Sequence, residues 1–119
     1  MIVRAEGDRL QLIRQPDHAR LAGAIMERCV SLAARERRAS ILRAIAEHDN
    51  GWAEEDQTPL LDASTGRIYD FVTAPPALRR RVWPRGILRL AADPWSAALV
   101  AHHADRIYER FHADSDWAS

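Results

Sequence analysis

Between residues 50 and 76 the chain carries Gly51, Pro59, Gly66, Pro75 and Pro76, and no apolar period runs through the stretch. Glycine and proline punctuate backbone structure, so this segment is irregular, with a turn expected over Asp62-Ala63-Ser64-Thr65-Gly66. A connection of this length inside a small domain is often functional. The 119 residues suit one compact domain spanning 1–119.

Helical periods flank the irregular stretch. Over residues 16–33 the apolar positions Leu21, Ala22, Ile25, Met26, Cys29 and Leu32 recur at spacings of three and four. Pro16 and Asp17 suit the first turn. His18 stands at the start of that stripe. A second helix is expected over residues 35–49, with Ile41, Leu42 and Ile45 on its buried face and His48-Asp49 at its end. Asn50-Gly51 reads as the stop, with glycine taking the left-handed conformation. Short helices are expected over 76–83 and 85–91. The last helix opens with Asp93 as N-cap and Pro94 in the first position. Trp95, Leu99, His103 and Ile107 follow at intervals of four, Ala98 and Phe111 widen the face, and His102 falls beside Leu99. The polar tail HADSDWAS, with His112 at the surface, is expected to fray. At the other end, Ile2-Val3 and Leu10, Leu12 flank Glu6-Gly7-Asp8, which suggests a β-hairpin.

Composition narrows the class. Apolar residues make up 47% and charged residues 29%, so the chain should fold. No apolar run is long enough to span a membrane, and MIVRAEGDRL lacks a signal-peptide core, so the expected location is the cytoplasm. The formal net charge is zero, which argues against a dedicated nucleic-acid binder. Every one of the 17 basic residues is arginine. Arg79, Arg80 and Arg81, with Arg85 and Arg89 nearby, either grip a phosphate or form a solvated face. Cys29, the one cysteine, reads as a small core residue. There is no GxxxxGK, GxGxxG or GxSxG, which argues against a P-loop protein or a serine hydrolase. A small chain with a loop-rich middle buries limited surface, so a two-fold homodimer is expected.

The chemistry-bearing residues are histidines and acids. His18, His48 and His103 each lie on or near an apolar stripe, and Asp49 adds a carboxylate. Packed together, they suit a divalent ion such as iron, manganese or zinc. Such an ion lowers the pKa of a bound water toward neutrality and so generates a nucleophile. The bland alternative is a set of hydrogen-bonded core histidines. Trp52 either roofs such a pocket over the substrate or staples the loop to the core. Asp56 and Asp62 join Asp49 as carboxylates assigned to catalysis, as a general base or as acceptors for the histidines. Glu54 and Glu55 read as solvated loop.

Residues 15–23 (QPDHARLAG), 44–52 (AIAEHDNGW), 59–71 (PLLDASTGRIYDF) and 98–108 (ALVAHHADRIY) together resemble an uncharacterised bacterial family, a domain of unknown function. The resemblance covers nearly the whole chain. That family's pattern is in turn similar to the His-Asp (HD) superfamily of all-helical, metal-dependent proteins, often phosphohydrolases and sometimes oxygenases. It implies His18 as first ligand, His48-Asp49 as the signature pair and His103, rather than His102, as the later histidine. Members of the family are longer, and in HD proteins a later aspartate completes the metal set. Asp105, Asp114 and Asp116 are the late candidates here. Asp105 lies two residues past His103, so on a straight helix it points elsewhere. A partner chain closes the site, or the site is incomplete, or the chain is a truncated relative.

The resulting expectation is a mainly α, HD-like helical bundle with an N-terminal hairpin. Its leading function is metal-dependent hydrolysis of a phosphate ester, an anionic small molecule that Arg80 would meet. The rivals are a non-catalytic helical binding domain with buried structural histidines and an iron-dependent oxygenase.

Overall fold

A computed structural model of the chain describes residues 1–111. The Phe111 side chain, His112, Asp114, Asp116 and the tail lie outside the described residues. Strands β1 (Ile2–Glu6) and β2 (Arg9–Ile13) precede helices α1 (Gln15–Glu27), α2 (Arg38–Glu47), α3 (Pro76–Leu88) and α4 (Pro94–Phe111). The strands form the expected antiparallel hairpin, with Ile2 opposite Ile13 and Glu6 opposite Arg9. Gly7 makes the turn with φ 60°, which glycine adopts without steric cost.

Helix α1 ends well short of residue 33. The Arg28 and Cys29 amides turn back to the Ile25 and Met26 carbonyls, a tightened last turn. Cys29 is then extended, half-buried, and bonded to Ser31 rather than set in the core. The expected stripe of large residues does not face inward either. Leu21 and Ile25 are 62% and 61% exposed, while Gln15, Ala19 and Gly23 are buried. The reason is close backbone approach. A Cβ added at Gly23 would lie 2.7 Å from the Ala46 Cβ, so α1 meets α2 along small residues.

Helix α2 starts after Arg37, which takes a left-handed φ of 61°, later than residue 35. Gly51 does not stop it by turning left-handed; among the described glycines only Gly7 and Gly66 have positive φ. Instead Asn50–Trp52 forms a single 3-10 turn lying directly on α3. A Cβ at Gly51 would sit 2.2 Å from the Val82 carbonyl oxygen, and one at Gly86 would sit 3.1 Å from the Gly51 nitrogen. Glycine is required there for contact.

Helix α3 is continuous through Pro84, where two short helices were expected. Helix α4 begins as expected, since the Ser96 amide donates to Asp93 Oδ1 at 3.2 Å. Its buried seam is one residue out of step with the expected one. Ser96, Val100, Ala104 and Tyr108 face inward, while Trp95 is 48% exposed under the Arg37 guanidinium. Ala44, Trp83, Leu90, Val100, Ala104 and Tyr108 form one core cluster, and Trp52, Ala74, Leu78 and Val82 a second. The Trp52 and Trp83 rings meet edge to face at 6.5 Å between the two.

The irregular segment is held by its own side chains. Asp62 Oδ1 accepts from the Ser64 amide at 2.9 Å, and Leu61 bridges Ile68 beyond the turn. None of the described helices is long and apolar enough to cross a membrane.

Candidate metal centre

The centre forms where α1 crosses the end of α2. His48 keeps helical dihedrals, but Asp49 leaves them at φ −109° and ψ 15°. Successive helical residues diverge by about 100°. The departure at Asp49 lets two adjacent side chains turn to the same place, and His18 reaches it from α1. His18, His48 and Asp49 each offer a ligand atom, and these atoms all lie within 4.8 Å of one another. Asp49 is buried, His48 is half-buried and His18 is exposed, so the group opens to solvent on the α1 side.

Hydrogen bonding defines the His48 tautomer. Its Nδ1 lies 2.6 Å from the Ile45 carbonyl oxygen, which can only accept, so Nδ1 carries the proton. In neutral His48 the lone pair is then on Nε2, which stands 3.2 Å from Asp49 Oδ2. A lone pair facing a carboxylate oxygen calls for a positive charge between them, either a proton or a metal ion. A backbone carbonyl holding the far nitrogen is also the usual support for a metal-binding histidine. Burial disfavours the His48 cation, but the Asp49 hydrogen bond, its charge and the Ile45 carbonyl outweigh burial, and the pKa is raised. The donor set and the tautomer therefore fit a divalent cation.

His103 stands beside this group. Its ring centroid is 4.8 Å from that of His48, in an edge contact, and 6.0 Å from the Trp83 ring. It falls outside the three-residue ligand group. Burial, and then the neighbouring His48, lower its pKa. His102 is exposed. Between α2 and α4 a cavity of about 320 Å³ is lined by Ile41, Ala44, Ile45, Leu99 and Val100, with His48 and His103 as its polar residues.

The remaining expected site residues are engaged away from this group. Asp56 is buried and accepts from the Met1 amino group at 2.8 Å and the Gln15 amide at 2.6 Å, which clamps the hairpin to α1. Asp62 caps its own turn, where the Ser64 hydrogen bonds hold its carboxyl below the usual range. Trp52 is 2% exposed within the second core cluster. Arg80 is exposed on α3. Its neighbours are spent on the acidic loop: Arg81 pairs with Glu55, Arg85 with Glu54 and Glu55, and Arg89 with Glu54. Asp105 is exposed on α4.

Sequence reading missed Gln15. Its Nε2 donates to Asp49 Oδ2 at 3.3 Å. The available signal was its position three residues before His18, on the same helical face.

The family comparison covers this whole arrangement. The chain belongs to DUF3891, a family of proteins of unknown function. The family model matches residues 1–119. No curated protein and no solved structure matches the chain.

Proposed function

We propose that this DUF3891 protein is a metal-dependent hydrolase of HD type acting on a phosphate ester. The observation that carries the reading is the convergence of His18, His48 and Asp49 on one point, with the His48 Nε2 lone pair turned toward Asp49. A divalent cation held there, iron, manganese or zinc, would polarise the phosphoryl group and acidify a bound water.

The chain's own residues do the rest. His18, His48 and Asp49 hold the ion with a single negative charge, which leaves net positive charge for an anionic substrate. The exposed side of His18 admits that substrate. The cavity between α2 and α4 takes an apolar body on the ester, since no arginine lines it. His103, kept neutral by burial, supplies an imidazole able to accept a proton beside the centre.

The test is metal content of the purified protein, followed by a screen of phosphate esters with manganese, iron or zinc. Near-stoichiometric metal, lost in His48→Ala together with phosphatase activity, supports the reading. A protein that holds no metal after incubation with all three ions ends it. What would remain is a binding domain in which a protonated His48 pairs with Asp49.

One observation favours a second enzyme class. Two imidazoles and one carboxylate with open positions is also the donor set of non-haem iron(II) oxygenases. Oxygen uptake that requires ferrous iron, without phosphatase activity, would select it.

A further inference from the structure

Gln15 is 3% exposed, and its side-chain oxygen Oε1 is enclosed without a hydrogen-bond partner. An amide oxygen has two lone pairs, and burying them unpaired is unfavourable. The other end of the same carboxamide is engaged, since Nε2 donates to Asp49 Oδ2 at 3.3 Å. That Oδ2 is the atom 3.2 Å from His48 Nε2. Reversing the carboxamide would set two acceptors against each other, so the contact assigns its ends. The Gln15 backbone is fixed separately, because its amide donates to Asp56 Oδ2 at 2.6 Å. Residues three apart share a helix face, which puts Gln15 on the His18 side of α1. A buried, unpaired oxygen therefore belongs to a carboxamide whose other end bonds the Asp49 carboxylate.

We infer that Gln15 is a further member of the metal centre. Its Oε1 gives a neutral oxygen to the cation, and its Nε2 orients Asp49. This rests on the metal reading above and adds a donor to the three His and Asp groups gathered there. An added oxygen favours manganese or ferrous iron over ions that seek sulfur.

The test titrates the metal-free full chain with Mn²⁺ for affinity and with Co²⁺ for its visible spectrum. Four proteins are compared: wild type, His48→Ala, Gln15→Met and Gln15→Glu. Gln15→Met keeps length and bulk but removes both amide atoms. We expect it to weaken Mn²⁺ binding about tenfold or more and to shift the Co²⁺ bands, as loss of one ligand does. Gln15→Glu restores an oxygen donor but loses the Nε2 bond to Asp49, so it should recover part of the Mn²⁺ affinity that Gln15→Met loses. Wild-type affinity and unchanged bands in Gln15→Met overturn the inference while leaving the metal centre intact. Absence of binding by wild type overturns both. Circular dichroism melts check folding. Should Gln15→Met fold poorly, Gln15→Asn carries the same expectation, because it withdraws the amide by one methylene.

Discussion

His48 is held at both ring nitrogens, by the Ile45 carbonyl on one side and by Asp49 on the other. His48→Ala should abolish metal binding while the far-ultraviolet spectrum stays native, because the residue is only partly buried at the end of α2. A variant that retains stoichiometric metal would remove His48 from the centre. A second residue should contribute to the alkaline limit of stability. Burial pushes the Tyr108 phenol up to about 12, from an ordinary value of 10.0. Its oxygen accepts from Trp83 Nε1 at 3.1 Å and its hydroxyl donates to the Phe71 carbonyl at 3.2 Å. A raised folded pKa means the contribution is complete below pH 10 and is lost as pH climbs through about 12. The amount at stake is roughly 2–3 kcal/mol. Urea unfolding at pH 9 and pH 11.5 should show that loss in wild type and much less of it in Tyr108→Phe. Equal losses in the two proteins would mean that Tyr108 does not carry the alkaline limb. At this scale His18, His48 and Asp49 stood out in the sequence as candidates, because histidine and aspartate on a helical stripe are rare enough to notice, while His103, expected beside them, falls outside the group. The sequence hid Gln15, because a glutamine is notable only once its burial and its unpaired oxygen are known.

The Asn50–Trp52 turn meets α3 so closely that a Cβ at Gly51 would clash with the Val82 carbonyl, and Gly86 faces the turn from α3. Gly51→Ala must move either the turn or α3, since the new methyl meets a backbone oxygen rather than a flexible side chain. The expected cost is at or above the top of the ~1–3 kcal/mol range for overpacking. The same shift would disturb Asp49 just upstream, so metal affinity should fall along with stability in denaturant titrations of this variant. Stability within a few tenths of a kcal/mol of wild type would show that the approach is looser. Helix α4 offers a milder case. The Ser96 hydrogen bonds hold the Asp93 carboxyl below its usual range. A depressed folded pKa gives stability that is present above the ordinary carboxylate range and lost as pH falls through the folded value. Asp93→Ala should melt earlier than wild type at pH 7, and the gap should close on acidification. The start of α4 was legible because Asp-Pro is a local signal, whereas the helix faces were not. Sequence periodicity assigned the inward face to large residues, Leu21 and Ile25 on α1 and Trp95 on α4. On α1 the fold chose small ones, Ala19 and Gly23, because close helix approach needs little side chain, and on α4 the seam turned by one residue to Ser96, Val100, Ala104 and Tyr108. Gly51 failed for the same reason as α1, since a glycine used for contact looks identical in sequence to one used for a turn.

Across the whole molecule, the three candidate ligands come from α1 and the end of α2, which meet along a seam of small residues and through the Arg38 bond to the Glu27 carbonyl. That seam buries little large apolar side chain, since Leu21 and Ile25 face outward. The main core cluster joins α2, α3 and α4, and α1 contributes no residue to it. Helix α1 is tied down by Asp56 at its start and by its seam with α2. A cation shared by His18 and the His48-Asp49 pair would therefore act as a staple between α1 and the end of α2. Binding to the folded state alone adds about 2.7 kcal/mol at a hundredfold excess over Kd. Manganese or iron should accordingly raise the melting temperature, and a chelator should return it to the starting value. Hydrogen exchange should slow most in α1 and the end of α2, the two places the ion would join, and much less in α3 and α4. If instead a proton joins His48 to Asp49 and no metal is used, neither the melting temperature nor α1 protection will respond to added ion. Protection gained evenly over all four helices would mean that α1 is already locked and that the ion serves chemistry without holding the fold.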